Sequence, residues 1–293
     1  MNSDAYRDLQ TLGLASKNSI EKFSECTRDC QELSVWRDNT SGVIFIKDFY
    51  VGDDLYFSGT HVEQSKSILK RSTFEDKLDC TRRLRDFQKF YYDKIVCEIG
   101  FGDGEFMKGA SPYSKEFRGV ELNDSSLTES RKKGFITEDD LSKFDENYFD
   151  TIMLFHTFEH FPDPINKLSQ AMRHLRKGGK LIIEVPHAGD FLLRDDVACE
   201  AFKRHTLWSQ HLILHTRYSL SAMLKYAGFQ DISIQGIQRY PLSNHLHWLT
   251  NGKPGGHVSS LSAIDNDYLN SSYQESLTRI DATDTIIAIA TTS

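Results

Sequence analysis

Apolar and polar positions alternate in two different rhythms along the chain, and from residue 94 onward short apolar runs are separated by amphipathic stretches. Short apolar runs bounded by turn residues predict strands, whereas apolar positions three or four residues apart predict helices. The predicted strands are 95–97, 117–122, 134–136, 149–155, 180–185, 229–237 and 285–290. Because strands that alternate with helices pair in parallel and are covered on both faces, we expect an α/β fold with a doubly wound, mostly parallel, seven-stranded sheet.

Two of the predicted helices have recognisable ends. Asp163 and Pro164 are residue types favoured at an N-cap and in a first turn, and we expect the helix that they open to end at Gly178. Ser219 is expected to cap a later helix, which Gly228 ends.

The first third of the chain has a less regular pattern. Residues 43–46 and 50–51 predict short strands, and residues 61–92 carry a rough apolar stripe among many charges, which predicts a helix. We therefore expect an N-terminal α+β extension over residues 1–92 and a main domain over residues 93–293.

Residues 238–283 interrupt the alternation of strands and helices with proline, glycine, aromatic and histidine residues. A long insert of this kind is usually a functional loop, so we expect a lid over an acceptor site. Tyr240, Asn244 and His245 carry groups that suit a polar ligand, and we predict that they bind the acceptor. The alternative is a surface excursion that packs on the sheet edge.

The charge balance and the cysteines indicate which partners and which cellular compartment fit the sequence. The chain has 35 basic and 42 acidic residues, a net charge of −7, whereas proteins that bind nucleic acid usually carry a basic stripe. No apolar run approaches the roughly 18 residues of a membrane span, and no signal-peptide pattern opens the sequence. Five cysteines offer no disulfide framework. We therefore expect a cytoplasmic protein with no nucleic-acid partner and no membrane span.

The segment from Glu98 to Gly104 reads EIGFGDG and directly follows a predicted strand. Glycines allow a tight turn and a close approach of the backbone to a ligand. In open α/β sheets the ligand crevice lies at the carboxyl ends of the strands. The segment therefore predicts a cofactor-binding loop, with a purely structural turn as the alternative.

The spacing of the glycines separates two kinds of cofactor. The dinucleotide fingerprint G-x-G-x-x-G would place a third glycine at position 105, where this chain has Glu105. The second predicted strand ends in Glu121, Leu122 and Asn123, where a carboxylate can accept both hydroxyls of a ribose. An acidic turn, 138–140, follows the third predicted strand.

These motifs together resemble those of the class I S-adenosylmethionine-dependent methyltransferases. The Glu98–Gly104 segment resembles their motif I, residues 149–164 are similar to their fourth-strand segment, and residues 178–186 are similar to their fifth strand. Residues 211–229 resemble a segment of bacterial enzymes that methylate sugars. The resemblance covers about 94–237 and implies a Rossmann-like fold that binds S-adenosylmethionine.

The resemblance also implies roles for individual residues and an acceptor class. Glu98 would lie near the sulfonium amino acid, Glu121 at the ribose and the acidic turn near the adenine amino group. The predicted cofactor-binding residues are Glu98, Gly100, Gly102, Gly104, Glu121, Leu122, Asn123, Glu138, Asp139 and Phe155. The implied acceptor is a small polar molecule, and we expect a hydroxyl of a sugar or nucleotide-linked intermediate in surface polysaccharide biosynthesis.

A hydroxyl acceptor must lose its proton during methyl transfer, and a histidine can accept it near neutral pH. Four histidines are predicted to lie at strand tips that face the crevice. His160 and His187 are our first candidates for the base, and His156 and His205 are the others.

His156, Glu159 and His160 would share one face of a helical turn. Some quinone-pathway O-methyltransferases place metal ligands at matching positions, but here His156 stands where those enzymes have an acidic residue. Cys26 and Cys30 lack the second pair that a four-ligand zinc site needs. We therefore expect a hydrogen-bonded network at His156, Glu159 and His160, ordinary buried thiols at Cys26 and Cys30, and no metal.

Two other functions remain open at this point. One is a nicotinamide-dependent oxidoreductase, which Glu105 disfavours. The other is a cofactor-binding protein that has lost catalysis, which the predicted crevice histidines disfavour. The sequence leaves the oligomeric state open, a homodimer included.

Overall fold

Two β-sheets and the helices around them make up the fold, seen in a computed structural model that describes residues 3–58 and 73–293. The strands are β1 (Ile20–Ser24), β2 (Val35–Asp38), β3 (Ile44–Ile46), β4 (Ile95–Ile99), β5 (Glu116–Val120), β6 (Ile136–Glu138), β7 (Phe149–Phe155), β8 (Leu175–Pro186), β9 (Ile213–Leu214), β10 (Gln230–Ile237) and β11 (Thr285–Thr291). The helices are α1 (Ala5–Thr11), α2 (Asp53–Phe57), α3 (Thr73–Asp86), α4 (Gln88–Tyr91), α5 (Glu105–Ala110), α6 (Asp124–Lys132), α7 (Pro164–His174), α8 (Glu200–Thr206), α9 (Arg217–Tyr226), α10 (Leu242–Asn251) and α11 (Asp267–Arg279). Within the described residues, no helix has the length and apolar composition that crossing a bilayer requires.

The larger sheet has seven strands in the order β10–β11–β8–β7–β4–β5–β6. Strands β4 to β8 pair in parallel, whereas β11 is antiparallel to both of its neighbours. This confirms the expected doubly wound, mostly parallel sheet. The apolar runs identify the central strands because helices cover both faces of the sheet there.

Strand β7 shows how the sheet divides the apolar interior. Ile152 and Leu154 face one buried cluster, and Met153 and Phe155 face another. The alternation follows from the two-residue period of a strand. Two apolar layers thus hold the sheet, and its carboxyl edge is left for polar groups.

The N-terminal region forms a smaller antiparallel sheet in the order β1–β2–β3–β9. Its fourth strand comes from far along the chain, since Ile44 pairs with Leu214 and Phe45 with Ile213. Phe45 is fully buried in the same cluster as Leu212. The N-terminal region therefore shares its core with the main sheet.

Several predicted boundaries were wrong. Residues 50–51 form no strand, and the hydroxyl of Tyr50 instead donates a hydrogen bond to Asp53 at 2.5 Å. Of the helix predicted over 61–92, residues 59–72 lie outside the described residues, and the remainder is divided between α3 and α4.

The helix that opens at Pro164 ends at His174 rather than at Gly178. Gly178 lies within β8, where its φ is +73° and its N–H donates to the Thr292 carbonyl. The cap of α9 is Thr216, and Ser219 is its partner three residues later in a capping box. The helix that opens at Pro164 therefore ends without a glycine, whereas the cap of α9 is of the expected residue type three positions earlier.

The segment 238–283 contains α10 and α11 and is tied to the rest of the molecule by buried polar contacts. Nε of Arg239 donates to both carboxylate oxygens of Asp79 on α3, at 3.1 and 3.0 Å. The backbone N–H of Arg239 donates to Asp284 at 2.9 Å. Burial opposes ionisation of Asp79, but the Arg239 guanidinium outweighs burial and lowers the pKa of Asp79.

We predict that Asp79→Asn lowers the free energy of unfolding at pH 7 by about 3–5 kcal/mol, because it leaves Arg239 buried without its anionic partner. The matched control is Asp195→Asn, which breaks an ion pair whose carboxylate is 73% exposed and should cost about 0–1 kcal/mol. Chemical denaturation of the three proteins measures both changes.

The pH dependence of the same pair has a defined sign. Folding lowers the pKa of Asp79, so its stabilisation is present above the ordinary aspartate pKa and is lost as the pH falls below it. The difference in stability between wild type and Asp79→Asn should therefore shrink in acid. A constant difference from pH 7 to pH 3 would contradict this account.

Candidate functional site

A cavity of about 550 Å³ opens at the carboxyl ends of β4, β5 and β7. This is the edge of an open α/β sheet at which ligands bind. Residues on its wall include Tyr50, Asp53, Tyr56, Gly100, Gly102, Glu121, Leu122, Asp139, Asp140, His156, His160, Phe161, Asp163, Lys167, Trp208 and Gln210.

The loop after β4 forms one side of the cavity. Gly100, Gly102 and Gly104 have φ values of +75°, +54° and +71°, which a residue with a Cβ rarely adopts. A Cβ on Gly100 would lie 2.2 Å from Oγ1 of Thr157, just beyond the end of β7. The glycine at position 100 therefore lets this loop pass close to the neighbouring strand end.

The Glu121 carboxylate lies directly across from this loop. Its Oε2 accepts a hydrogen bond from the Gly102 N–H at 2.8 Å, and its Oε1 accepts from the N–H groups of Leu122 and Asn123 at 2.8 and 3.0 Å. The side-chain oxygen of Asn123 caps α6 through the Ser126 N–H. Glu121 is thus held at the cavity by three backbone donors.

Other predicted cofactor residues are divided between the wall and the layer behind it. Asp139 lines the cavity, whereas Glu138 forms ion pairs with Arg131 and Lys143 at 3.3 and 3.7 Å. Phe155 packs in the apolar layer behind the wall.

Glu98 lies behind the glycine loop and is 4% exposed. Burial raises its pKa to about 8, although the nearby Arg83 guanidinium opposes the rise. Among the described residues, its Oε2 has no hydrogen-bond partner. Glu98 is therefore mostly protonated at pH 7.

His156 stands at the end of β7 with a φ of +51°. This left-handed conformation costs a residue other than glycine about 1–3 kcal/mol and is characteristic of functional sites. Nδ1 of His156 lies 3.5 Å from Oε1 of Glu159, and its Nε2 lies 3.4 Å from Oε1 of Glu184. The ring therefore connects two fully buried carboxylates at the cavity wall.

His160 follows on the next turn and also lines the cavity. Its Nδ1 lies 2.9 Å from the Gln210 carbonyl, and its Nε2 lies 3.9 Å from Oε1 of Glu159. The ring meets that of Tyr56 edge to face at a centroid distance of 6.2 Å. His156 and His160 are thus the two predicted histidines that the structure brings together.

His187 and His205 lie elsewhere. His187 is 2% exposed and its Nδ1 donates to the Thr283 carbonyl at 3.0 Å, while burial lowers its pKa. His205, on α8, packs against Trp248 at a centroid distance of 4.9 Å, and burial lowers its pKa to about 4. Within the described residues, neither histidine is on the cavity wall.

The predicted acceptor residues of the insert also lie elsewhere. Nδ1 of His245 and the hydroxyl of Tyr273 are 2.7 Å apart, Asn244 accepts from the Gly255 N–H, and Tyr240 packs on His257. Of the residues that the structure describes, none from 238–283 lines the cavity. The acceptor role of these three residues and the lid stay predictions.

Sequence analysis missed the opposite wall of the cavity. Tyr50, Asp53 and Tyr56 come from the N-terminal region, and Trp208 and Gln210 follow α8. Aromatic residues beside polar ones between helices are a weak local signal. The pairing of β3 with β9, together with hydrogen bonds such as that from the Arg28 N–H to the Leu207 carbonyl, brings these two distant segments to one cavity.

Comparison with known proteins gives a family and several structural relatives. The sequence profile of a family described as "Methyltransferase domain" matches residues 73–234. Phosphoethanolamine N-methyltransferase 2 of Caenorhabditis elegans is 24% identical over 168 residues, which cover 51% of this chain and 37% of that protein. The chain thus aligns with little more than a third of the length of this relative.

Solved structures share the fold. A SAM-dependent methyltransferase from Archaeoglobus fulgidus has a TM-score of 0.53 and 18% identity, with 79% of this chain and 99% of that one covered. Phosphoethanolamine N-methyltransferase 2 of Haemonchus contortus, solved with S-adenosyl-L-methionine, has a TM-score of 0.50 and 16% identity, with 85% and 62% covered.

We predict that Gly100→Ala lowers the free energy of unfolding by about 2–4 kcal/mol, the sum of left-handed strain and overlap with Thr157. Gly134→Ala is the matched control, since Gly134 also has a positive φ, +85°, but has open space around its Cβ position. It should cost about 1–2 kcal/mol. Equal losses in the two variants would show that the contact with Thr157 is unimportant.

Proposed function

The chain belongs to the methyltransferase-domain family, and from this premise we propose that it transfers the methyl group of S-adenosylmethionine to a small polar acceptor in the cavity at the carboxyl ends of β4, β5 and β7. The observation that carries the proposal is the cradle formed by the Gly100–Gly104 loop and the Glu121 carboxylate, which are joined by the hydrogen bond from Gly102. The cradle and the histidines belong to one continuous cavity.

We assign the cofactor to the cradle side of the cavity. Glu121 is positioned to accept the ribose hydroxyls, and Asp139 lies on the same wall, where an adenine amino group can donate to it. Glu98, behind the glycines, is assigned to the cationic amino group of the cofactor. Titration of the protein with S-adenosylhomocysteine and with NAD tests this assignment against the dinucleotide alternative.

We assign the acceptor to the opposite side of the cavity. Aromatic rings of Tyr50, Tyr56, Phe161 and Trp208 stand there among carboxylates. Flat apolar faces beside hydrogen-bond acceptors suit a sugar, and a hydroxyl of a sugar or nucleotide-linked intermediate of a surface polysaccharide is our first proposal. Because the wall is mainly acidic, the phosphates of a nucleotide-linked acceptor would lie outside it.

An amine is the second candidate acceptor. The relatives named phosphoethanolamine N-methyltransferase take their name from a substrate that carries an amine. In this chain, Asp53 and Asp163 stand on the same wall as the aromatic rings, and both kinds of group attract a cation before it loses its proton. A panel of nucleotide sugars, free sugars and phosphoethanolamine, read by release of S-adenosylhomocysteine, separates the two acceptor classes.

Methyl transfer to the acceptor requires a base and a fixed orientation of the two reactants. The acceptor atom attacks the methyl carbon in line, the carbon–sulfur bond breaks, and S-adenosylhomocysteine leaves as a neutral thioether. The acceptor proton passes to an imidazole on the wall, His156 or His160. Holding the two reactants in line supplies most of the remaining acceleration.

A cytoplasmic location is also a proposal, based on the cysteine content.

We predict that His156→Gln and His160→Gln each lower kcat, with little change in the affinity for S-adenosylhomocysteine. Substitution of the histidine that acts as the base should lower kcat by about 100-fold or more. His174→Gln is the control, because His174 is also buried with its Nδ1 on a backbone carbonyl but lies on α7 and outside the wall. Turnover is measured across a pH series with the best acceptor of the panel. Wild-type turnover in both wall variants would refute a histidine base.

We also predict that cofactor binding at pH 7 releases most of one proton per chain. Glu98 has a pKa of about 8 in the free protein, and a bound ammonium group favours its ionised form. Calorimetry with S-adenosylhomocysteine in buffers of different ionisation enthalpy measures the release.

The release should vanish at pH 9, where Glu98 is already ionised, and in Glu98→Gln at pH 7. Binding with no proton release in the wild type at pH 7 would exclude Glu98 as the partner of the amino group.

A further inference from the structure

Three side chains converge beside the acceptor side of the cavity. A carboxylate oxygen of Glu159 and one ring nitrogen each of His160 and His211 all lie within 4.8 Å of one another. The His160 and His211 rings are 5.1 Å apart between centroids. Glu159 and His160 belong to the turn after β7, whereas His211 belongs to the segment between α8 and β9.

Backbone carbonyls fix the orientation of both rings. Nδ1 of His160 lies 2.9 Å from the Gln210 carbonyl, and Nδ1 of His211 lies 3.2 Å from the Thr206 carbonyl. A carbonyl can only accept, so Nδ1 carries the proton in each ring, and Nε2 of the neutral ring carries the electron pair.

Glu159 supplies a carboxylate to the same place. It is 1% exposed, and among the described residues neither of its oxygens has a hydrogen-bond partner, Nδ1 of His156 lying 3.5 Å from Oε1. A carboxylate oxygen and two imidazole nitrogens therefore lie close enough together to share one cation.

We propose that Glu159, His160 and His211 bind a divalent transition-metal ion. Two imidazole nitrogens and one carboxylate oxygen suit Zn²⁺, Co²⁺, Fe²⁺ or Mn²⁺ better than Mg²⁺, which prefers oxygen ligands. The carbonyls of Gln210 and Thr206 are the outer-shell groups that usually orient histidine ligands. The sequence-based expectation of no metal considered His156 with Glu159 and His160, and could not include His211.

The catalytic consequence of the metal site rests on the proposed function, whereas the test of metal binding does not. His160 and Gln210 line the cavity, so the ion would border the acceptor. A bound ion lowers the pKa of a coordinated hydroxyl, which favours a hydroxyl-bearing acceptor. His160 would then be a ligand, and His156, between Glu159 and Glu184, would be the base.

The test is metal binding by the full chain after treatment with a chelator. Titration with Co²⁺, followed by its visible absorption, and calorimetry with Zn²⁺ should both give one ion per chain. His211→Gln and Glu159→Gln should weaken binding by at least about tenfold, since loss of an outer-shell group alone costs that much. His174→Gln, which removes another buried histidine, should bind like the wild type.

Failure to bind either ion, or equal weakening in His174→Gln, would overturn the proposal. Thermal unfolding without metal checks that each variant folds, and His160→Gln replaces any ligand variant that does not. Binding of S-adenosylhomocysteine is measured on the same samples. Its absence would refute the proposed function whatever the outcome with metal, and its presence in a protein that binds no metal would refute only the metal site.

Discussion

The site depends on how two fully buried carboxylates are compensated. Glu184, near the end of β8, takes hydrogen bonds from Arg82 and Arg83 of α3 at 2.8 and 2.6 Å, and these arginines with His156 hold its pKa well below the usual value against the effect of burial. An uncompensated charge at such depth costs several kcal/mol. Helix α3 is therefore bound to the sheet by charge as well as by apolar contact. His156 lies between Glu184 and Glu159 and has a left-handed backbone conformation.

The parts of this protein that are local in sequence could be predicted from the sequence. Central strands of a parallel sheet are apolar on both faces, so β4 and β7 are evident from the apolar runs Ile95–Cys97 and Ile152–Phe155. The glycine loop and Glu121 follow directly from strand ends, and in the structure they face each other across one cavity. The edge where they meet is fixed by the parallel direction of the strands.

The remainder of the cavity depends on contacts between distant segments. Tyr56, Trp208 and Gln210 come to one cavity where β9 joins the N-terminal sheet, and a strand of two residues leaves almost no pattern to detect. The wrong end predicted for α7 has a similar cause. A glycine inside a strand, such as Gly178, cannot be distinguished by residue type from a glycine that follows a helix. His187 follows the end of a strand, as expected, but its ring is buried against the Thr283 carbonyl. His205 lies on a helix rather than at a strand tip, and its ring packs on Trp248.

The short strand β9 has a consequence for how acceptor choice can evolve. The family profile begins at residue 73, whereas Tyr50, Asp53 and Tyr56 precede it and reach the cavity through the sheet that β9 completes. On the proposed assignment, part of the acceptor side therefore lies outside the matched stretch, whereas the Gly100–Gly104 loop and Glu121 lie inside it. Changes at Tyr50, Asp53 and Tyr56 would then alter the acceptor side and leave the cradle untouched.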